Sequence, residues 1–302
     1  MYALTGSQSF LLLQSVSQSL AGRCATLHLP PLSLAELIGR PPLDLTRLGA
    51  AVPKLPAPPK SSLEEVLFTG FYPRIHARNL PPREWLSGYV QTYLERDVRQ
   101  VLHVGDLEMF SRFLRLCAGR NGQLVNLSAL AADCDISQPT ARAWLSVLEA
   151  SFLVLLLRPH FRNFNKRLVK SPRLYWLDPG LLCYLLNIRT AAELHHHGSR
   201  GVIFESYVIA ELYKSYVNRG EQPPLYFWRD SKGHEVDVVL DLSSRLVPVE
   251  VKSARTVAAD FFAGLDYWRT LNGNPGQPAV LLHGGDRLAR QHKTLVLPWW
   301  AL

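Results

Sequence analysis

The alternation of apolar and polar residues is sharpest toward the C-terminal end of the chain. Glu235–Asp241 and Leu246–Lys252 are two runs with period-2 patterning, separated by Leu242–Arg245, and they predict a β-hairpin. On the second strand this period places Val247, Val249 and Val251 on one face and Pro248, Glu250 and Lys252 on the other. Upstream, Val202–Tyr216 predicts a helix whose inward face is Phe204, Val208, Ile209, Leu212 and Tyr216, with Glu205 at the edge of that face. Phe261–Leu271 predicts a further helix, and Ala279–His283 and Thr294–Leu297 predict strands. A mixed α/β domain over residues 199–302, with a central sheet flanked by helices, follows from this order.

Earlier in the chain the period is helical. Glu84–Leu102 has Trp85, Tyr89, Tyr93 and Leu94 near one face, and Asp106 suits the N-cap of Leu107–Ala118. In that helix Phe110, Phe113, Leu114 and Cys117 form an i, i+3, i+4, i+7 stripe. Asn126–Asp133 is a short helix and Cys134–Ile136 a turn. Ser137 caps a third helix, with Pro139 in its first turn and Trp144, Leu145 and Leu148 facing inward. Ser151–Arg158 and Arg173–Trp176 read as two strands joined by the basic loop Phe161–Ser171. That order is the order of a winged helix-turn-helix, expected over 106–198 after a helical linker region at 51–105.

The first fifty residues predict strand Tyr2–Gln8, helix Phe10–Leu20 and strand Cys24–Leu29, a single α/β unit too small to bury its own faces. Two breaks punctuate the chain. One is the proline cluster Pro53–Pro59. The other is Leu194–Arg200, where His195–His197 are expected to form a solvated linker.

Charge adds a partner to this picture. Lys and Arg outnumber Asp and Glu by 33 to 25, a formal charge of +8 that suits contact with nucleic acid, DNA first. On the third helix the exposed residues would be Gln138, Thr140, Arg142 and Ala143. The loop between the strands would add Arg162, Asn163, Asn165, Lys166, Arg167 and Lys170. The competing reading is a protein-interaction module with a solvated basic loop. Cys24, Cys117, Cys134 and Cys183 are scattered, as expected for reduced thiols in a cytoplasmic protein, and no apolar run is long enough for a membrane span.

The chemistry lies on the hairpin. Asp237 and Glu250 can converge across it, Lys252 projects beside Glu250, and Glu205 approaches from the helix. Convergent carboxylates make a hard oxygen site for magnesium or manganese, and a neighbouring lysine can position or deprotonate a water and stabilise a phosphate. These are the requirements of metal-assisted phosphodiester hydrolysis, so all four are candidate catalytic residues, with Asp237 and Glu250 as the metal ligands. The alternative is an ordinary sheet edge closed by ion pairs, Glu250 with Lys252 or Asp237 with a nearby arginine.

Several stretches resemble a large prokaryotic family that joins an AAA-type ATPase module to a C-terminal region of unknown function. Leu4–Gln8 and Ser19–Arg23 are similar to the end of that ATPase module. Tyr93–Val98, Asn126–Leu130, Ser137–Thr140 and Trp144–Glu149 resemble its winged-helix region. Arg167–Pro172, Phe204-Glu205, Tyr226–Asp230, Glu235–Asp237 and Val249–Lys252 resemble its nuclease-like end, of the PD-(D/E)XK type. The resemblance implies that residues 1–50 are the remnant of an ATPase module. The phosphate loop G-x-x-x-x-G-K-[ST] and the acidic strand that should follow it do not occur in the sequence. A truncated relative is therefore expected, one that does not use ATP by itself. A protein partner could supply the missing ATPase half.

Overall fold

The computed structural model describes residues 27–44, 55, 57–93, 107–160, 170–274, 276–291 and 293–302. The predicted elements at 2–8 and 10–20, the start of the strand expected at 24–29 and the cap Asp106 lie outside the described residues, and Leu27–Leu29, the described part of that expected strand, forms none. So do the end of the helix at 84–102 and the loop residues Arg162, Asn163, Asn165, Lys166 and Arg167.

Local sequence explains the helical elements. Helix α1 (Leu34–Leu37) and helix α2 (Leu63–Thr69) each begin with a reciprocal capping box, Ser33 with Glu36 and Ser62 with Glu65. Helices α3 (Pro73–Arg78) and α4 (Pro82–Tyr93) start on prolines, whose missing N–H costs nothing in a first turn. Helix α5 (Leu107–Gly119) buries Phe110, Phe113, Leu114 and Cys117, the predicted stripe. Asn126 caps α6 (Leu127–Asp133) and Ser137 caps α7 (Gln138–Ala150), which buries Trp144, Leu145 and Leu148. A two-stranded antiparallel ribbon follows, β1 (Val154–Leu157) with β2 (Arg173–Trp176).

Helices α8 (Pro179–Leu185), α9 (Ala191–His196) and α10 (Arg200–Val217) lead into the sheet. The histidine run is not the expected linker. Thr190 caps α9, Leu194 is buried, and His195 lies in the last turn with Nδ1 3.0 Å from Glu64 Oε1, an oxygen that Arg200 also reaches at 2.8 Å. Polar residues at a helix C-terminus carry the same composition as a loop, which is why the pattern misleads.

The main sheet contains β3 (Leu225–Arg229), β4 (Glu235–Asp241), β5 (Leu246–Lys252), β6 (Ala279–His283), β7 (Ala289–Gln291) and β8 (Thr294–Pro298). Their order is β3-β4-β5-β6-β8-β7. Pairing is antiparallel from β3 to β5 and at β7, and parallel through β5, β6 and β8, with helix α11 (Ala263–Leu271) in the first parallel crossover. The fold is mixed α/β, as the sequence predicts. Strand β3 and the short β7 lack clean alternation and carry no period-2 signal.

One apolar core runs from the helices through α10 to Val247, Val249 and Val251 on one face of the sheet. Trp268 of α11 closes the other face against Trp228, Val239 and Leu246. Two features tie the helical region to the sheet. In the first, Glu211 and Lys214 of α10 pair at 3.1 Å in full burial. Glu211 Oε2 accepts the Leu34 N–H at 2.8 Å, and Lys214 Nζ donates to the Leu32 carbonyl at 2.9 Å. In the second, the chain beyond β1 hydrogen-bonds to β3: Phe227 N–H donates to the Arg158 carbonyl at 3.0 Å and His160 N–H to the Phe227 carbonyl at 2.7 Å. The ribbon is thus stitched to the edge of the main sheet. Among the described residues no helix is long and apolar enough to cross a membrane.

Candidate functional site

The β4–β5 ladder runs from Asp241–Leu246 to Val238–Val249, so Asp237 stands one residue past its last pair, level with Glu250. The Asp237 carboxylate accepts the Val251 N–H at 2.8 Å through Oδ2, which fixes it across the strand. Glu250 Oε1 is 2.7 Å from Lys252 Nζ. Glu250 Oε2 is buried and has no hydrogen-bond partner. A carboxylate oxygen in that condition is costly unless a cation or donor arrives from elsewhere. Gly264, in the first turn of α11, borders it. A β-carbon there would lie 3.2 Å from Glu250 Oε2 and 2.8 Å from the Glu235 carbonyl, so any side chain would push α11 off the acids.

Glu205 reaches the same centre from α10. Tyr175 of β2 donates to its Oε1 at 2.5 Å, and Arg173 of β2 lies 3.7 Å from the same oxygen. The buried Arg173 guanidinium also contacts Glu235 at 2.5 Å and lies over the Phe227 ring at 5.0 Å. Glu235, half-exposed, has Arg229 at 3.6 Å on its outer side. The structure therefore brings Glu205, Asp237, Glu250 and Lys252 together and adds Arg173, Tyr175 and Glu235. The available signal for Arg173 was a charged residue inside the apolar strand Arg173–Trp176.

Burial and crowding shift these acids in one direction. Burial, then the neighbouring Asp237 charge, pushes Glu205 up to about 8 against the opposing pull of Tyr175 and Arg173. Burial and Asp237 likewise push Glu250 up to about 8, with Lys252 opposing. Asp237 is raised by burial although Lys252, the Val251 N–H and Arg173 all favour its charge. For Lys252 burial works against the charge, but Glu250 and Asp237 outweigh it and hold the ammonium above its usual range. Too many buried carboxylates share too few cations.

Among the described residues no group of three or more His, Cys, Asp or Glu side chains is close enough to hold a metal ion. The donor set still suits magnesium or manganese. Magnesium commonly takes one or two carboxylates and completes its shell with waters and phosphate oxygens. Asp237 and Glu250, with the orphaned Oε2, are such a pair.

On the helical region, Gln138 and Arg142 of α7 line a surface groove of about 760 Å³ together with Asn126, Ser146 and Ser171. Thr140 is half-buried, its hydroxyl 2.7 Å from Ser137 Oγ, and Lys170 is exposed at the start of the approach to β2. The groove lies between α7 and the ribbon.

Similarity to known proteins follows the same division of the chain. A domain of unknown function (DUF8612) matches residues 60–192, and another (DUF4143) matches residues 200–302. Uncharacterized proteins of Mycobacterium bovis and Mycobacterium tuberculosis are each 30% identical to the chain over 256 residues, 84% of this chain and 53% of each relative. The chain thus spans about half the length of these curated relatives. No solved structure matches it.

Proposed function

We propose that the chain is a metal-dependent nuclease: residues 199–302 form a restriction-endonuclease-like domain that hydrolyses phosphodiesters, and 106–198 form a winged helix that positions it on DNA. The observation that carries this reading is the unpartnered, buried Glu250 Oε2 beside Asp237 and Lys252. Asp237 and Glu250 would hold a magnesium or manganese ion. When bound, such an ion supplies Lewis acidity and a more acidic water. Lys252 is an ammonium clamped on Glu250, which suits it to hold a phosphate oxygen better than to take a proton from water. Glu205, held by Tyr175 and Arg173, stands behind the ligand pair as an acceptor for water.

For DNA contact the support is the groove lined by Gln138 and Arg142, with exposed Lys170 and half-buried Thr140 nearby, and the basic content of the sequence at Arg162, Lys166 and Arg167. The length of the relatives is consistent with an ATPase half supplied outside the residues present here. The sequence holds no phosphate loop, so this reading assigns no ATP use to the chain alone.

The test is incubation of the folded chain with supercoiled plasmid, branched DNA and RNA in magnesium or manganese, with Asp237→Ala as control. Metal-dependent cleavage lost in the variant is the expected result. Intact substrate in every case sinks the nuclease reading. A second reading, a DNA- or protein-binding remnant without catalysis, is favoured by the Lys252 ammonium already occupying Glu250 Oε1. Salt-sensitive DNA binding that survives loss of Asp237 and Glu250, without cleavage, would establish it.

A further inference from the structure

The acidic centre is built from two regions of the chain. Glu205, Glu235, Asp237 and Glu250 carry four negative charges when ionised, and Arg173, Arg229 and Lys252 carry three positive ones, a net of one negative. One divalent ion takes that sum to one positive, which a single scissile phosphate neutralises. A second would take the sum to three positive, two more than that phosphate neutralises. The donors divide in the same way. Two-metal sites need carboxylates free to serve ions about 3.5–4 Å apart. Here Tyr175 and Arg173 occupy Glu205, and Arg173 and Arg229 occupy Glu235. Only Glu250 presents a buried oxygen with no partner.

We infer that the centre takes one divalent ion, on Asp237 and Glu250, and that Arg173 of the ribbon fills the place a second ion would take. This rests on the proposed metal-dependent reading. Arg173 is suited to that role because it is buried, placed over the Phe227 ring, and bound to two carboxylates from different elements, α10 and β4. It is a positioning residue: it touches the acids and keeps Glu205 out of the ligand set.

The experiment is a calorimetric titration of the full chain with manganese(II), with the free ion counted by electron paramagnetic resonance and the fold of each variant checked by circular dichroism. Wild type should bind one ion per chain, D237N none, E205Q one, R173K one and R173M two, with the second ion lost again in R173M/E205Q. Two ions on the wild type, two on R173K, loss of the ion in E205Q, or a single ion on folded R173M each overturn the inference. If R173M does not fold, the wild-type, R173K and E205Q counts still decide it. A wild type that binds no manganese overturns the inference and the metal-dependent reading together. Loss in E205Q with one ion on the wild type overturns the inference alone.

Discussion

Glu211 and Glu205 both project from α10, and their surroundings differ in every respect that bears on use. Glu211 is fully occupied: Lys214 takes one oxygen and the Leu34 N–H the other, and Lys214 is itself capped by the Leu32 carbonyl. Glu205 sits in a group where acids outnumber nearby cations and one neighbour, Glu250, keeps a bare oxygen. Both groups are buried and ionic. The first is closed on itself and serves packing, while the second is left short of positive charge, which is what the proposed metal-dependent reading requires.

Breaking the closed group should have the largest effect. Lys214→Met leaves Glu211 as an uncompensated buried charge, and the expected loss is about 3–5 kcal/mol in urea unfolding at unchanged slope. Asp237→Asn makes the opposite test. Under the proposed reading, metal-dependent cleavage falls by about a hundredfold or more, roughly 2.7 kcal/mol of barrier, while the metal-free protein melts no lower than wild type because a repelling charge is gone. A matching loss of stability would mean that the acids are structural after all.

Acid titration sharpens the same contrast. Glu205 and Glu250 have folded values of about 8, above the ordinary glutamate value of about 4.3, so between these limits the folded state binds more protons than the unfolded one. Metal-free stability should therefore fall as pH rises across that window and level off above it, with manganese reversing the fall. E205Q should flatten the slope. A pH-independent melting temperature across the window would contradict the crowding of the acids. The smallest effect concerns the groove: Lys170→Ala and Arg142→Ala should each weaken DNA binding modestly and lower the slope of log affinity against log salt by about one, leaving manganese binding untouched.

The hairpin acids were legible because a strand exposes its chemistry at every second residue: Asp237, Glu250 and Lys252 stand out against valines, and the strand bounds match the pattern. Glu205 was legible as a carboxylate out of place on an apolar helix. Arg173 and Tyr175 were not, since their contacts to Glu235 and Glu205 join residues far apart in the chain and no local period encodes such a meeting. Strand β3 escaped for a related reason. Its residues Leu225–Arg229 do not alternate, and its partner on one side is the ribbon. The apolar helices α5 and α7 were fixed by local pattern, and the caps Asn126 and Ser137 mark where their helices start.

The stitch between Arg158–His160 and Phe227 bears on how the molecule can be divided. The similarity boundary near residue 200 invites excision of 200–302 as a separate piece. Such a piece would lose the hydrogen-bonding cover of β3 at Phe227 and, with β2, the Arg173 that shields Glu205 and Glu235. A bared sheet edge flanked by aromatic side chains invites another copy to pair with it. The fragment is thus expected to aggregate in proportion to its concentration, while the full chain keeps this edge covered and stays monodisperse.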